Sequence, residues 1–382
     1  MRRATRLFVC IALLGVVAAW GWSSPTIATA SNVIKIGYTA PFTGAGAEYG
    51  TNGWRGIQLA LDDINEKGVT VGGEKYQVKI VRYDSICTPV EAVANVRKLA
   101  MEDKVVAILG DHCSSCCMAI APLCNDFKIP GLTIECAANG VTSPGHEFYF
   151  RMRPSMGLMA PLGIPRIVDL LKSKTTGFLH INDDYGHSFA DSFADEFEKH
   201  GVKTVARENY ERGNTDFRVY LTKIKKADPD LCFYVGAISE GVMMIKQAEE
   251  MGLTKDIAFF GAEEMAEMEM LSLTGAEALE GTYAIALWGG VDPAFAKRVE
   301  DRFNAPMHYA IIFGYDALQV VVKAIESAQS LDPVKVKDAM KQTDYQGLEG
   351  HIRFDNFDDY KNQGRFEPTI IKWVNGQRTV VE

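Results

Sequence analysis

From Val33 onward the chain alternates short β-rich apolar runs with stretches in which apolar residues recur every three or four positions. The first pattern predicts strands and the second predicts helices with one buried face. Val33-Ile34-Lys35-Ile36-Gly37-Tyr38 reads as a strand ending at a loop with Pro41, Gly44 and Gly46. Trp54, Ile57, Leu61 and Ile64 then mark a helix closed by Lys67-Gly68. Tyr76 to Tyr83 is the next strand, and Ala92, Val93, Val96, Leu99 and Ala100 mark the next helix. Val105 to Leu109 is a third strand, followed by a helix from Ser114 to Phe127 and a short strand from Gly131 to Ile134.

The rhythm restarts after Pro154. Helices at 156–172, 184–199, 215–226 and 239–251 alternate with strands at Thr176–Ile181, Val202–Tyr210, Leu231–Val235 and Ile257–Phe260. A long late helix carries Ile311, Tyr315, Leu318, Val322 and Ile325, and the tail around Gly350–Asp355 and Thr369–Trp373 reads as strands. Two successive β-α-β-α-β blocks predict an α/β protein of two Rossmann-like lobes with parallel sheets, helices on both faces and right-handed crossovers. No Pro-, Gly- or Ser-rich linker separates the blocks, so the lobes are expected to join through short crossings that leave a cleft.

Composition narrows the class. The 382 residues are 47% hydrophobic, 23% charged and 10% aromatic, which excludes wholesale disorder and fibrous repeats. A net charge of −9 with no dense Lys/Arg stripe argues against a nucleic-acid partner. Residues 1–30 read as a signal peptide: Arg2, Arg3 and Arg6, an uncharged apolar run from Leu7 to Trp20, then Ala28-Thr29-Ala30 before an expected mature start at Ser31. The run of 14 residues is shorter than the roughly 20 a spanning helix needs, which disfavours the rival reading of an uncleaved anchor. Cys10 follows Leu7-Phe8-Val9 rather than small residues, which disfavours a lipoprotein. Losing three arginines takes the 40 basic residues to 37 against 49 acidic, a charge of −12 on an exported, acidic chain.

Export gives the cysteines a meaning. Cys87, Cys113, Cys116, Cys117, Cys124, Cys136 and Cys232 remain; an oxidising compartment pairs some, and an odd number leaves at least one over. The segment Gly110-Asp111-His112-Cys113-Ser114-Ser115-Cys116-Cys117 sits where a strand ends and a helix begins. Open α/β sheets bind ligands there, and the unbonded amides and dipole of a helix N-terminus suit a carboxylate. Ser114 and Ser115 add hydroxyl donors, although serine is also an ordinary cap. Two sharper readings compete for the same residues. Cys113-x-x-Cys116 has the spacing of thiol–disulfide exchange, and His112 with Cys113, Cys116 and Cys117 could hold a metal, without the second Cys/His pair of strong zinc patterns. Against both, Cys87 follows a neighbouring strand. A Cys87–Cys113 bond would close a loop with 25 residues between its ends, worth roughly 3 kcal/mol in the chain-entropy model. Phosphate-loop, nucleophile-elbow, H-E-x-x-H and G-x-G-x-x-G signatures are missing, and Asp355, Asp358 and Asp359 lack the spacing of a calcium loop. The Met243-Met244 pair and Met265, Met268 and Met270 read as core filling. Asp183-Asp184-Tyr185-Gly186 and Gly261-Ala262-Glu263-Glu264 each follow a strand of the second block, facing the cleft edge like Ser114.

Together these residues resemble a known family. Ile34–Tyr38 with Pro41-x-x-Gly44, Gly50-x-x-x-Trp54-x-Gly56 and Asp63-Ile64-Asn65-x-x-Gly68 are similar to the opening of the type I periplasmic binding proteins, in particular the leucine/isoleucine/valine-binding branch of ABC importers. The likeness continues through Tyr83-Asp84, Cys87 with Cys113-Ser114-Ser115, Asp184-Tyr185-Gly186, Gln247-Ala248-x-x-x-Gly252 and Gly261-x-Glu263. It ends with Gly350-x-Ile352-x-Phe354-Asp355 and Asn375-Gly376. The resemblance implies two lobes joined by a three-segment hinge that closes over one small molecule. It places the first lobe at 31–154 and 285–340 and the second at 155–284 and 341–382. It further implies a Cys87–Cys113 disulfide, a ligand carboxylate held by Ser114 with backbone near Ala137, Ala138 and Asn139, and an ammonium faced by Tyr185 and Glu263. Tyr49 would line the side-chain pocket.

This chain departs from the pattern at Ser115-Cys116-Cys117, at Cys136-Ala137-Ala138-Asn139, and at Ala237 and Ile238, where leucine binders carry tyrosines. The last change predicts an enlarged or reshaped apolar pocket and puts leucine itself in question. The expectation is a monomeric periplasmic substrate-binding protein, without cofactor, that delivers a small, apolar amino acid to an ABC permease. The alternatives are an aromatic or aliphatic carboxylate or small amide as ligand, an exported oxidoreductase using Cys113 and Cys116, and a sensing domain for a signalling partner.

Overall fold

The computed structural model describes residues 32–44, 46–143, 145–287, 292–348, 350–357 and 359–381; the expected signal peptide lies outside them. The first block runs β1 (Asn32–Ala40), α1 (Ala47–Lys67), β2 (Val69–Val71), β3 (Glu74–Asp84), α2 (Pro89–Lys98), β4 (Ala107–Leu109), α3 (Ser114–Phe127), β5 (Gly131–Thr133) and β6 (Tyr149–Arg151). The second runs α4 (Met156–Leu171), β7 (Thr175–Ile181), α5 (Asp184–Lys199), β8 (Lys203–Tyr210), α6 (Arg218–Ala227), β9 (Leu231–Val235), α7 (Ile238–Glu250), β10 (Ala258–Gly261), α8 (Met268–Thr274), α9 (Ala276–Leu279) and β11 (Tyr283–Ala286). Helices α10 (Pro293–Phe303), α11 (Tyr309–Ala328) and α12 (Pro333–Met340) follow. The tail carries β12 (Tyr345–Gln346), β13 (His351–Ile352), β14 (Asp355–Phe357), β15 (Tyr360–Gln363), β16 (Thr369–Val374) and β17 (Gln377–Val380).

Two large sheets result, in the orders β14-β15-β6-β5-β4-β1-β3-β2 and β17-β16-β11-β10-β9-β7-β8, while β12 and β13 pair antiparallel in a separate ribbon. Their central pairs are parallel, and antiparallel pairs occur only towards the edges. In each sheet the order reverses once in the middle, between β1 and β4 and between β7 and β9. Those reversals open the crevice in which doubly wound sheets hold ligands.

The second lobe is built on a phenylalanine cluster: Phe189 stacks on Phe193 at 3.9 Å between centroids, and both lie against Phe233. In the first lobe α1 crosses α11 so closely that glycines are required. A Cβ at Gly56 would stand 1.9 Å from the Ile311 carbonyl oxygen, and one at Gly314 would stand 2.3 Å from that of Gly53.

Among the described elements the chain passes between the sheets three times. The expected assignment of 341–382 to the second lobe needs correction. β15 lies parallel to β6 through Gln363 and Arg151, and the Gln363 Oε1 accepts from Arg151 Nε at 2.7 Å. This buried pair draws β14 and β15 onto the first sheet, and only from Thr369 does the chain join the second.

Candidate functional site

The loops that follow β4 to β10 converge, with α1 and α11, on one cavity. It is lined by Tyr49, His112, Cys113, Ser114, Glu135, Arg153, Asp183, Tyr185, Arg212, Gly236, Glu264 and Tyr309. The space open to the centres of water-sized spheres is about 40 Å³, enough for a few waters. A molecule of amino-acid size therefore enters only as the lobes or side chains part. Among the described residues no aliphatic side chain lines this cavity; its apolar surface there is the tyrosine rings and Cys113.

On the first lobe, Cys113 stands at the cap position of α3 with its amide donating to Asp111 Oδ1 at 3.0 Å, and its own side chain makes no cap bond to the amides of the first turn. The Ser114 hydroxyl oxygen accepts from the amides of Ala137 and Ala138, each at 3.2 Å. Its own proton stays available to a guest. Two disulfides fix this corner: Cys87–Cys113, and Cys117–Cys136, which ties the first turns of α3 to the loop after β5. His112 is sandwiched, with Nε2 2.6 Å from the Tyr38 hydroxyl and Nδ1 3.1 Å from Glu135 Oε2. Glu135 Oε1 is buried and makes no hydrogen bond.

The second lobe contributes acids and phenols. Tyr185, in the first turn of α5, lies 3.1 Å from Glu263 Oε2 and 2.9 Å from Glu264 Oε1. Glu263 Oε1 forms a buried ion pair with Arg153, which comes from the first crossing between the lobes. Glu264 Oε2 and Arg153 Nε are buried without a partner. Burial, and next the charge of Glu263, push the Glu264 carboxyl well above the ordinary range. Arg212 completes the wall by donating to Asp183 Oδ2 at 2.6 Å.

Of the residues singled out in the sequence, Tyr49, Ser114 and Tyr185 line the cavity. Glu263 stands immediately behind it, paired with Arg153. Ala137 and Ala138 give their amides to Ser114 and so brace the site. Ser115 is half-buried on the next position of α3, outside the cavity wall. Asn139 spans the lobes, its Nδ2 donating to Ser192 at 2.9 Å and its amide to Ser188 at 3.3 Å. Ile238 is buried away from the cavity, and its amide donates to Glu48 Oε1 across the cleft at 3.0 Å. The apolar enlargement expected at Ala237 and Ile238 is thus not what the wall presents, because Ile238 packs into the core of the second lobe and Ala237 is buried without lining the cavity.

Arg153, Arg212, Glu135 and Tyr309 were not singled out. The one signal was Arg151-x-Arg153 directly after the apolar Phe148-Tyr149-Phe150, where two buried arginines are unexpected.

The competing cysteine chemistries do not survive. Cys113 and Cys117 are disulfide-bonded, while Cys116, Cys124 and Cys232 are free and buried. Burial raises the Cys116 thiol, the reverse of an exchange-active cysteine. Among the described residues no cluster of His, Cys, Asp and Glu could hold a metal ion, and no helix is long and apolar enough to cross a membrane.

Two α/β lobes whose switch-point loops enclose one small, polar-walled cavity define a solute-binding protein. The model of the family described as periplasmic binding protein matches residues 33–371, and the chain belongs to that family. It is a substrate-binding protein of transport rather than an enzyme. A leucine-, isoleucine-, valine-, threonine- and alanine-binding protein of Pseudomonas aeruginosa is 29% identical over 376 residues, which cover 97% of this chain and 96% of that one. An amino acid binding protein of the same organism is 30% identical over 360 residues, 92% of each chain. Among solved structures, LivJ, a branched-chain amino acid transporter substrate-binding protein of Streptococcus pneumoniae in complex with isoleucine, superposes with a TM-score of 0.81 at 25% identity. It covers 92% of this chain and 99% of that one.

Proposed function

We propose that the protein is exported through its N-terminal signal to the periplasm, where as a monomer it captures a small amino acid and delivers it to an ABC permease. The observation that carries this reading is the cavity's polarity. Hydroxyl and first-turn amide donors of α3 stand on the first lobe, and the Tyr185–Glu263–Glu264 cluster stands on the second. A zwitterion fits that arrangement. Its carboxylate goes to Ser114 and the positive end of α3, and its ammonium goes to the acids and phenol. The amino-acid ligands named for the relatives agree with it. The side chain of the guest then rests on the tyrosine faces, with Tyr49 among them.

Closure follows from differential contact. The bound molecule touches both lobes only when they are together, so it stabilises the closed form, which the permease reads. Selectivity among aliphatic side chains is modest, since one methylene is worth about 0.8 kcal/mol. Discrimination against molecules lacking either charged end is stronger, because buried polar groups would be left unpaired.

Titration calorimetry with leucine, isoleucine, valine, threonine and alanine, set against benzoate and isovaleramide, tests the reading. At least one amino acid is expected to bind, and the two others are not. Binding of benzoate or the amide without any of the five amino acids would overturn it.

A further inference from the structure

Two carboxylates compete for one phenol proton in this cleft. Tyr185 lies within hydrogen-bond reach of both Glu263 and Glu264, yet its hydroxyl carries a single hydrogen. Arg153 settles which acid is already served: its guanidinium forms the ion pair with Glu263, and both side chains are almost wholly buried. The arrangement balances when Glu264 brings a proton of its own. The Glu264 carboxyl then bonds to the Tyr185 oxygen, and Tyr185 donates onward to Glu263. The second oxygen of Glu264 has no partner; the residue is 3% exposed and lines the cavity. Glu263 does not line the cavity, and its Oε1 is taken by Arg153.

We propose that Glu264, rather than Glu263, receives the ligand's ammonium group, and that it does so by giving up a proton to solvent as the cation docks. This rests on the amino-acid reading given above. The balance is simple: the ligand keeps all three ammonium hydrogens, the carboxyl hydrogen of Glu264 goes to buffer, and the new pair is neutral overall. The direction of the Glu264 shift agrees, since burial and the neighbouring Glu263 both favour its protonated form until a cation arrives. The groups that face it are Glu263 on its own turn, Tyr185 of α5, Arg153 after β6, Tyr49 of α1, Tyr234 of β9 and Tyr309 of α11. Of its packing neighbours, Glu267 at the end of the turn has Arg378 as its electrostatic partner. Tyr283 of β11 stacks on Phe260 beneath Lys372.

One other group titrates nearby with the opposite sign. Glu48, pushed up to about 7 foremost by burial, is expected to take up a proton when the lobes shut. The measurement therefore compares variants and is anchored above that value. Leucine, valine, threonine and alanine are titrated calorimetrically into wild type and E264Q, in buffers of different ionisation enthalpy, between about pH 6 and about pH 9. Wild type is expected to release up to about one proton more than E264Q, with affinity rising by up to about tenfold per pH unit across the transition relative to the variant. E264Q should bind at least about tenfold more weakly at about pH 8. Equal proton counts, or equal affinities, overturn the assignment. If E264Q does not fold, wild type alone decides at about pH 7.5: net proton release supports the assignment and none overturns it. Tight amino-acid binding without the extra proton sinks this inference and leaves the amino-acid reading standing. Failure of all four amino acids to bind wild type removes both.

Discussion

The Arg153–Glu263 pair is the residue-scale feature that most constrains the cleft. Both side chains are about 2% exposed, so each charge has exchanged water for the other. A buried pair adds little net stability when formed, but removing one partner strands the other and costs about 3–5 kcal/mol. Urea unfolding of E263Q is expected to show a loss of that size, and the R153M/E263M double variant should recover most of it. A wild-type midpoint for E263Q would mean that the pair holds nothing together. At this scale the sequence was informative where chemistry sits on a local motif. Ser114 follows a strand at a helix start, and Tyr185 and Glu263 follow strands of the second block. Tyr309 was illegible because nothing in its own neighbourhood marks it, and Arg153 carried only the faint mark of an arginine pair after an apolar run. They meet the cavity only through crossings and helix ends brought from far along the chain, and Glu264 gains its meaning only once Arg153 is seen to occupy its neighbour.

Among the elements, the α1–α11 contact depends on an absent side chain. The Gly56→Ala variant would place a methyl group 1.9 Å from a backbone oxygen, so the two helices must separate. Overpacking of this kind costs about 1–3 kcal/mol, and a thermal melt of G56A should fall accordingly. Ala placed at exposed Gly72, where nothing lies within 4 Å, meets no such obstruction, although its φ of +60° carries its own strain. Elements with sustained periodicity were readable to within a few residues: α3, α5 and β9 occupy the expected ranges. β2 was not: it has three residues, too few for alternation to emerge from ordinary loop sequence.

For the whole molecule, the clasps between the lobes include Glu48 on the Ile238 amide, and Asn139 on Ser188 and Ser192. The first depends on pH. Burial foremost raises the Glu48 carboxyl from 4.5 to about 7, so its protonated form is favoured with the lobes together. That contribution to closure is fully present below about 4.5 and is lost as pH rises through about 7. Small-angle scattering of the ligand-free protein should therefore show the radius of gyration growing across this window, and E48Q should abolish the growth. A radius independent of pH in wild type would remove Glu48 from the closing device. The two-block rhythm of the chain made the bilobal plan visible. The return of β14 and β15 to the first sheet was not visible, because a parallel partner is chosen by buried contacts such as Arg151 with Gln363, to which local pattern is blind.

That return has a consequence for biogenesis. A nascent polypeptide emerging N-terminus first cannot cover the edge of β6 until residues near 363 have appeared, and until then Arg151 lacks its glutamine acceptor. The bare edge invites association with other strands. Late completion therefore leaves that edge bare through most of synthesis, and truncations that end before residue 363 are expected to aggregate.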